Sequence, residues 1–270
     1  MGIVAAYAVP HPPLIVPAVG RGEERAIQAT VDAYEEVARR IAAHGADTVI
    51  VTSPHAPIYR DCFFIDTADI AIGDMSRFRA PEARIEVGLD RELTLDIVQR
   101  ARSYGVPVVS DAGYAGRLDH GTFVPLHFIV KELPTFRIVR LGLSALGFES
   151  HRRLGRAIAS SADSLGRRCV FVASGDLSHK LKADGPYGFA PEGPLFDERI
   201  CDIFRSGDLS GLFDFDEGFC DAAAECGLRS FQIMAGALEG AAFGSTLLSH
   251  EGTFGVGYAV AAFEKAGDAA

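Results

Sequence analysis

Three stretches, GIVAAYAV (2–9), DTVIVTS (47–53) and RCVFVASGD (168–176), each hold an unbroken apolar run, with polar side chains in the last two only toward the ends. A strand that reads so continuously is buried on both faces, which happens when helices cover a largely parallel sheet above and below. The residues between them supply such helices. RGEERAIQATVDAYEEVARRIAAHG places Ile27, Val31, Tyr34, Val37, Ala38 and Ile41 at helical spacing, with Glu24, Asp32, Glu35, Arg39 and Arg40 on the other face and Gly45 as a C-cap. Further helices are expected over DRELTLDIVQRARSYG, VPLHFIVKEL, SHRRLGRAIASSADSLG and RSFQIMAGALEGAAF, with two short ones around PLFDERICDIFRSGD and LSGLFDFDEGFCDAA. Further strands are expected over FFIDTADIAIG, VPVVSD, FRIVRLGLS, STLLSHEG and FGVGYAVAAFEK, the first followed by a Pro/Arg-containing stretch to about residue 86. The pattern predicts one α/β domain over residues 1–270, a central mainly parallel or mixed sheet flanked by helices.

At 48% hydrophobic content over 270 residues the chain can bury a substantial core. Its formal charge of -10, with no Lys/Arg-rich block, argues against a nucleic-acid partner, because phosphate-backbone binding rests on clustered cations. The opening MGIVAAYAVPHPPLIVPAVG has no basic n-region and its apolar stretch is broken by four prolines, so neither a signal peptide nor a membrane span is expected. Gly2 lacks the Ser or Thr at position 6 that myristoylation requires, since Ala6 stands there. A cytoplasmic location is the expectation. The five cysteines are scattered without a C-x-x-C spacing, which indicates neither a disulfide framework nor a structural zinc knuckle.

Each of the three apolar strands runs into a histidine within a few residues: His11 in VPHPP, His55 in SPHAP and His179 in SGDLSH. Ligands of open α/β sheets collect beyond the carboxyl ends of the strands, so these three are candidates for convergence. His11 and His55 are each preceded by proline and followed by another within two positions, which restricts the backbone as a metal ligand requires. His120, in LDHGTFVPL, sits in a turn before an apolar helix. His44, His127, His151 and His250 lack such settings and read as structural.

Two histidines and a carboxylate form the facial triad that leaves positions open on Fe(II). Candidate carboxylates are Glu225, heading an apolar helix, Asp176 in SGDLSH, Asp119 beside His120, and Glu251. Glu225 reads equally as a first-turn acid complementing the helix dipole, and Cys226 beside it as a core thiol or a softer ligand. Asp176, three residues before His179, could hold one nitrogen of that imidazole and make the other a better base, or could cap a short helix. Tyr59, Phe63, Tyr114, Phe123 and Tyr187 are candidates for an aromatic pocket, and the Gly/Pro-rich loop KADGPYGFAPEGP (182–194) could lie over it.

VPHPPLIVP, TSPHAP, LDHGTFVPL and SGDLSH, in this order over residues 9–179, resemble the B-type fold family of class III extradiol ring-cleavage dioxygenases. ECGLRSFQIMAGAL and EGTFGVGYAVAAF extend the likeness over nearly the whole chain, which is most similar to the AmmeMemoRadiSam and Memo-like group. The resemblance implies that family's α/β fold and a non-haem Fe(II) held by His11, His55 and Glu225. It also implies His179 as the acid/base catalyst and His120 as a hydrogen-bonding partner of oxygen or substrate; Asp176, from its spacing to His179, is the third candidate catalytic residue. The implied reaction is extradiol cleavage of a catechol-like vicinal diol by O2. Memo-like proteins carry a cysteine where the ring-cleaving enzymes carry their carboxylate, and with Glu225 and Cys226 adjacent either side chain could face the metal. A thiolate would favour copper or zinc; manganese is a further alternative. Two other functions stay open: a Memo-like metal-binding protein serving a redox process without ring cleavage, and a metallohydrolase built on the same site. The expected partners are a small aromatic diol and O2, with a homodimer the default assembly, a small companion chain possible, and no nucleic acid or membrane.

Overall fold

The computed structural model describes residues 2–111 and 113–265. Among the described residues ten strands form: β1 (Gly2–Val9), β2 (Thr48–Ser53), β3 (Phe63–Phe64), β4 (Ile70–Met75), β5 (Ala80–Leu89), β6 (Val108–Val109), β7 (Arg137–Gly142), β8 (Arg168–Ser174), β9 (Phe243–Glu251) and β10 (Tyr258–Lys265). The α-helices are α1 (Pro17–Gly20), α2 (Gln28–Ala43), α3 (Arg91–Ser103), α4 (His120–Glu132), α5 (Phe148–Ser164), α6 (Glu192–Ser206), α7 (Glu217–Ala223) and α8 (Leu228–Leu238).

Eight strands make one sheet in the order β4-β5-β7-β2-β8-β1-β10-β9. The run β5-β7-β2-β8-β1 is parallel, while β4, β10 and β9 pair antiparallel at the two edges, so the sheet is mixed. The continuously apolar segments are its centre: every residue of β1 and β2 is buried. Alternate side chains serve two cores. Ile3, Ala6 and Ala8 pack with α3, α5 and α8, whereas Val4, Tyr7 and Val9 pack with α2 and α4. Strands β3 and β6 pair separately as a small parallel sheet. Among the described residues no helix is long and apolar enough to cross a membrane.

Three expected elements form differently. FFIDTADIAIG is two strands, because Asp66 turns inward to a buried ion pair with Arg140 at 2.9 Å and accepts backbone N–H bonds from Ala68 and Gly116. The Pro/Arg stretch that follows contains β5. Pro81 is tolerated there because β5 has only β4 beside it at that end, its pairing to β7 beginning at Gly88. The helix expected from residue 21 regularises only at Gln28, where Glu251 of β9 reaches over to accept from the Thr30 backbone N–H at 2.7 Å and hydroxyl at 2.6 Å.

Candidate metal centre

Parallel strands β1, β2 and β8 end level with one another, Val9 beside Ser174 in register and Thr52 beside Ala173. His11, His55 and Asp176 are each the second residue beyond their strand, so one sheet edge collects all three. β8 lies between β1 and β2, and the sheet therefore changes winding direction there, the kind of crevice in which α/β proteins bind ligands. The N-terminus of α4 closes over the same edge and brings His120.

His11 is 2% exposed and its ring is oriented from one side. Pro125, inside α4, has no N–H to give the Gly121 carbonyl one turn earlier, so that carbonyl accepts the Ser174 hydroxyl at 2.6 Å. With its proton committed, Ser174 Oγ accepts from His11 Nδ1 at 3.0 Å. This assigns the Nδ1–H tautomer and leaves His11 Nε2 unprotonated, its lone pair facing His55 Nε2 at 3.0 Å. Burial and the neighbouring His55 hold His11 well below its ordinary pKa, and burial lowers His55. Two neutral imidazoles aimed nitrogen to nitrogen suit a shared cation.

Asp119 caps α4, accepting from Thr122 N at 3.0 Å, and so makes His120 the first helical residue rather than part of a preceding turn. The same carboxylate accepts the Ser53 hydroxyl at 2.5 Å, and Ser53 Oγ in turn accepts the His55 backbone N–H at 3.1 Å. Burial opposes ionisation of Asp119, but the Arg140 charge and the hydrogen bonds from Ser53, Arg140 and Thr122 outweigh it and hold the carboxyl at about 2. His120 lies over His55 with ring centroids 3.9 Å apart, and burial, then His55 and His11, lower its pKa to about 3. It is therefore a neutral hydrogen-bond donor near neutral pH.

The opposite wall comes from the turn before α8. The backbones of Gly175 and Gly227 touch so closely that a Cβ on Gly175 would run into Gly227 Cα, and this contact carries Cys226 to the strand ends. Cys226 Sγ lies 3.8 Å from His11 Nε2 and 3.7 Å from the Asp176 carbonyl. Burial, then Asp176 and Glu225, push its thiol well above the ordinary value. Asp176 accepts the His11 backbone N–H at 2.7 Å and has its second oxygen 3.9 Å from His11 Nε2; burial raises its pKa.

Two groups of donor atoms, His11/His55/His120 and His11/Asp176/Cys226, each fall within 4.8 Å of one another. Glu225 belongs to neither group among the described residues. Its carboxylate accepts from Leu228 N, the first residue of α8, at 2.7 Å and so helps to cap that helix although Gly227 holds the N-cap position, and burial raises its pKa to about 7.

Asp176 does not hold the His179 ring, and among the described residues no helix directly follows it to be capped. His179 Nδ1 instead donates to the Ala224 carbonyl at 2.5 Å, which is turned toward it by an alanine in the left-handed region, φ 54. That leaves His179 Nε2 as the free proton acceptor.

The cluster opens on a cavity of about 730 Å³ lined by His11, His55, His120, His179, Tyr187 and Tyr258. The Tyr187 ring meets His179 edge-on at 5.1 Å. A second cavity of about 610 Å³ shares His55, Phe78 and His120 with the first and is lined by Tyr59, Tyr114, Arg77 and Arg117. Phe63 and Phe123, named as pocket candidates, are core residues at 0% and 1% exposure. His44, His127, His151 and His250 lie in neither donor group: His44 pairs with Glu264, His151 packs edge-on to Phe63, and His250 pairs with Asp197. Ser53, Ser174 and Arg140 escape a reading of the sequence, because they sit inside strands where nothing separates a polar core residue from a solvated one.

Residues 5–261 match the model of the catalytic LigB subunit of aromatic ring-opening dioxygenase, and the chain belongs to that family. It is 37% identical over 271 residues to Protein CA_C1420 of Clostridium acetobutylicum, covering 98% of this chain and 58% of that protein. It is 25% identical over 199 residues to 3,4-dihydroxyphenylacetate 2,3-dioxygenase of Escherichia coli, covering 67% and 69%. To the MEMO1 family protein PAE0818 of Pyrobaculum aerophilum it is 28% identical over 184 residues, covering 68% and 60%. The chain thus spans less than two thirds of the Clostridium and Pyrobaculum relatives. Among solved structures, the uncharacterized protein JW3007 from Escherichia coli K12 superposes with a TM-score of 0.62 at 16% identity, over 96% of this chain and 99% of that one, a likeness of fold.

Proposed function

We propose that this chain is a metal-dependent extradiol-type dioxygenase acting on an aromatic vicinal diol. The observation that carries the reading is the His11–His55 nitrogen pair set beside the free Nε2 of His179 on one cavity, in a LigB-family chain. His11 and His55 would hold the ion, with a third donor from Asp176 or Cys226, or from Glu225 if the α8 cap opens. The donor set fits a first-row transition ion: two neutral imidazoles, a carboxylate and a thiol that a coordinated cation would ionise. When bound, non-haem Fe(II) supplies an electronic link between a chelated diol and O2.

The protein's own part is proton handling and orientation. His179 Nε2, its other nitrogen fixed on Ala224, would take a hydroxyl proton from the diol and return it to the product as the ring opens, both oxygen atoms of O2 being kept in that product. His120, neutral, donates to the oxygen on which negative charge develops. Tyr187 and Phe78 supply aromatic faces to the cavity wall. Arg77 and Arg117 have no ion-pair partner among the described residues and line the adjoining cavity, which supports a diol with an acidic arm. The relatives named for 3,4-dihydroxyphenylacetate and 2,3-dihydroxyphenylpropionate act on diols of that kind.

A second reading rests on Cys226, whose sulfur lies 3.8 Å from His11 Nε2 and shares a donor group with it, whereas Glu225 shares none. A thiolate in the coordination sphere favours copper or zinc and a Memo-like role without ring cleavage. The test is anaerobic purification, Fe(II) loading and an oxygen electrode with a panel of catechols. Uptake with a ring-opened product, absent in His179→Ala although that variant keeps its metal, supports the dioxygenase. Tight copper or zinc with no uptake on any catechol supports the second reading.

A further inference from the structure

Arg140 projects from the middle of β7 and is 1% exposed. Its guanidinium bridges two carboxylates, Nη1 donating to Asp66 Oδ2 at 2.9 Å and Nη2 to Asp119 Oδ2 at 3.0 Å. Asp66 is anchored in turn by the backbone N–H groups of Ala68 and Gly116. Asp119 passes the constraint on, accepting Ser53 Oγ with its other oxygen and fixing the first turn of α4 that carries His120. Ser53 Oγ completes the chain by accepting the His55 backbone N–H. From Asp66 to His55, each link is a hydrogen bond of 3.1 Å or less.

We propose that Arg140 is a positioning residue for the metal centre, setting His55 and His120 through Asp119 and Ser53. Geometry favours this over a simple charge-balancing role. One positive group between two carboxylates leaves the trio short of neutrality, whereas a planar fork meeting two carboxylates at once fixes both in direction. Lysine, a point charge, could neutralise one carboxylate without aligning the pair. Outer partners of metal-ligating side chains typically control affinity by about 10- to 100-fold, which sets the expected size of the effect.

This role rests on the reading of His11 and His55 as metal ligands but not on ring cleavage, so its test reads metal binding rather than oxygen uptake. The metal-free protein is titrated anaerobically with Co(II), following the visible bands of the bound ion. Arg140→Ala is expected to weaken Co(II) binding about 10- to 100-fold and to change the band shape. Millimolar guanidinium, reaching the vacated space from the cavity of about 610 Å³ that Arg140 lines, is expected to restore both, and Arg140→Lys to restore neither. Wild-type affinity and bands in Arg140→Ala, or rescue by lysine as complete as by guanidinium, would overturn the inference. Should Arg140→Ala fail to fold, Ser53→Ala decides, since it removes the link to His55 and leaves the charges in place. Weakened binding upholds the chain of contacts and unchanged binding refutes it. A wild-type protein that takes up no Co(II) defeats the metal-site reading and this inference together, whereas bound Co(II) without dioxygenase activity leaves this inference standing.

Discussion

Gly121→Ala separates helix propensity from site geometry. Within a helix the exchange gains up to about 1 kcal/mol, less in a first turn. Here the added Cβ would overlap Ser53 Oγ and lie 3.2 Å from both Asp119 Oδ1 and His55 Cδ2. Ser53 Oγ cannot swing aside freely, because it donates to Asp119 and accepts from the His55 backbone. Overpacking of this kind costs about 1–3 kcal/mol, and weakening a hydrogen bond to a charged group costs about 1.5–3 kcal/mol more. The clash therefore outweighs the propensity gain, and a net destabilisation of about 1.5–5 kcal/mol is expected by urea unfolding. Because the displaced hydroxyl holds His55, Co(II) affinity should fall about 10- to 100-fold in the same variant. A variant as stable as wild type, or one that loses stability while binding Co(II) normally, would refute the packing argument.

Ser174→Ala removes the acceptor that selects the His11 tautomer, and Co(II) affinity is expected to drop by about tenfold or more with little change in fold, read by titration beside circular dichroism. Glu225→Gln keeps an oxygen to accept from Leu228 N and is expected to bind metal as wild type does, read by Co(II) titration; metal loss in that variant would instead place Glu225 among the ligands. His250 is held protonated chiefly by its hydrogen bond to Asp197, its pKa raised from 6.5 to about 10. A raised folded-state pKa contributes stability that is complete below the unfolded value and disappears as pH climbs through the folded one. The difference in unfolding free energy between wild type and His250→Gln should accordingly be at its full size below about pH 6.5, shrink as pH rises, and vanish above about pH 10. A difference independent of pH over that range would contradict the ion pair.

The histidines were legible because two kinds of local information coincide on them. A strand apolar on both faces marks the sheet centre, and a Pro-His turn marks where such a strand stops, so His11 and His55 could be placed at one edge before any tertiary contact was known. The choice between Glu225 and Cys226 was not legible. Adjacent residues differ only in side-chain direction, which the Gly175–Gly227 backbone contact sets from across the fold. Arg140 was hidden for a related reason: in FRIVRLGLS it reads as the polar member of an alternating strand, while its partner Asp66 lies 74 residues away. The role of Pro125 was visible as a residue and silent as a cause, since only the position of Ser174 shows which atom takes up the Gly121 carbonyl it leaves free. Strand β5, one in from the sheet edge, escapes the sequence because Pro81 counts against an internal strand, and only the sheet order reveals that its proline end has one neighbour.

Whether this cavity joins O2 to an aromatic vicinal diol is tested most directly by turning over 3,4-dihydroxyphenylacetate under isotopically heavy O2 with the anaerobically Fe(II)-loaded protein and weighing the product. The expected result is a ring-opened product that carries the heavy isotope in its new carboxylate, and no such product from His179→Ala. A fully metal-loaded protein that leaves this diol and the rest of the catechol panel intact would contradict the proposed activity.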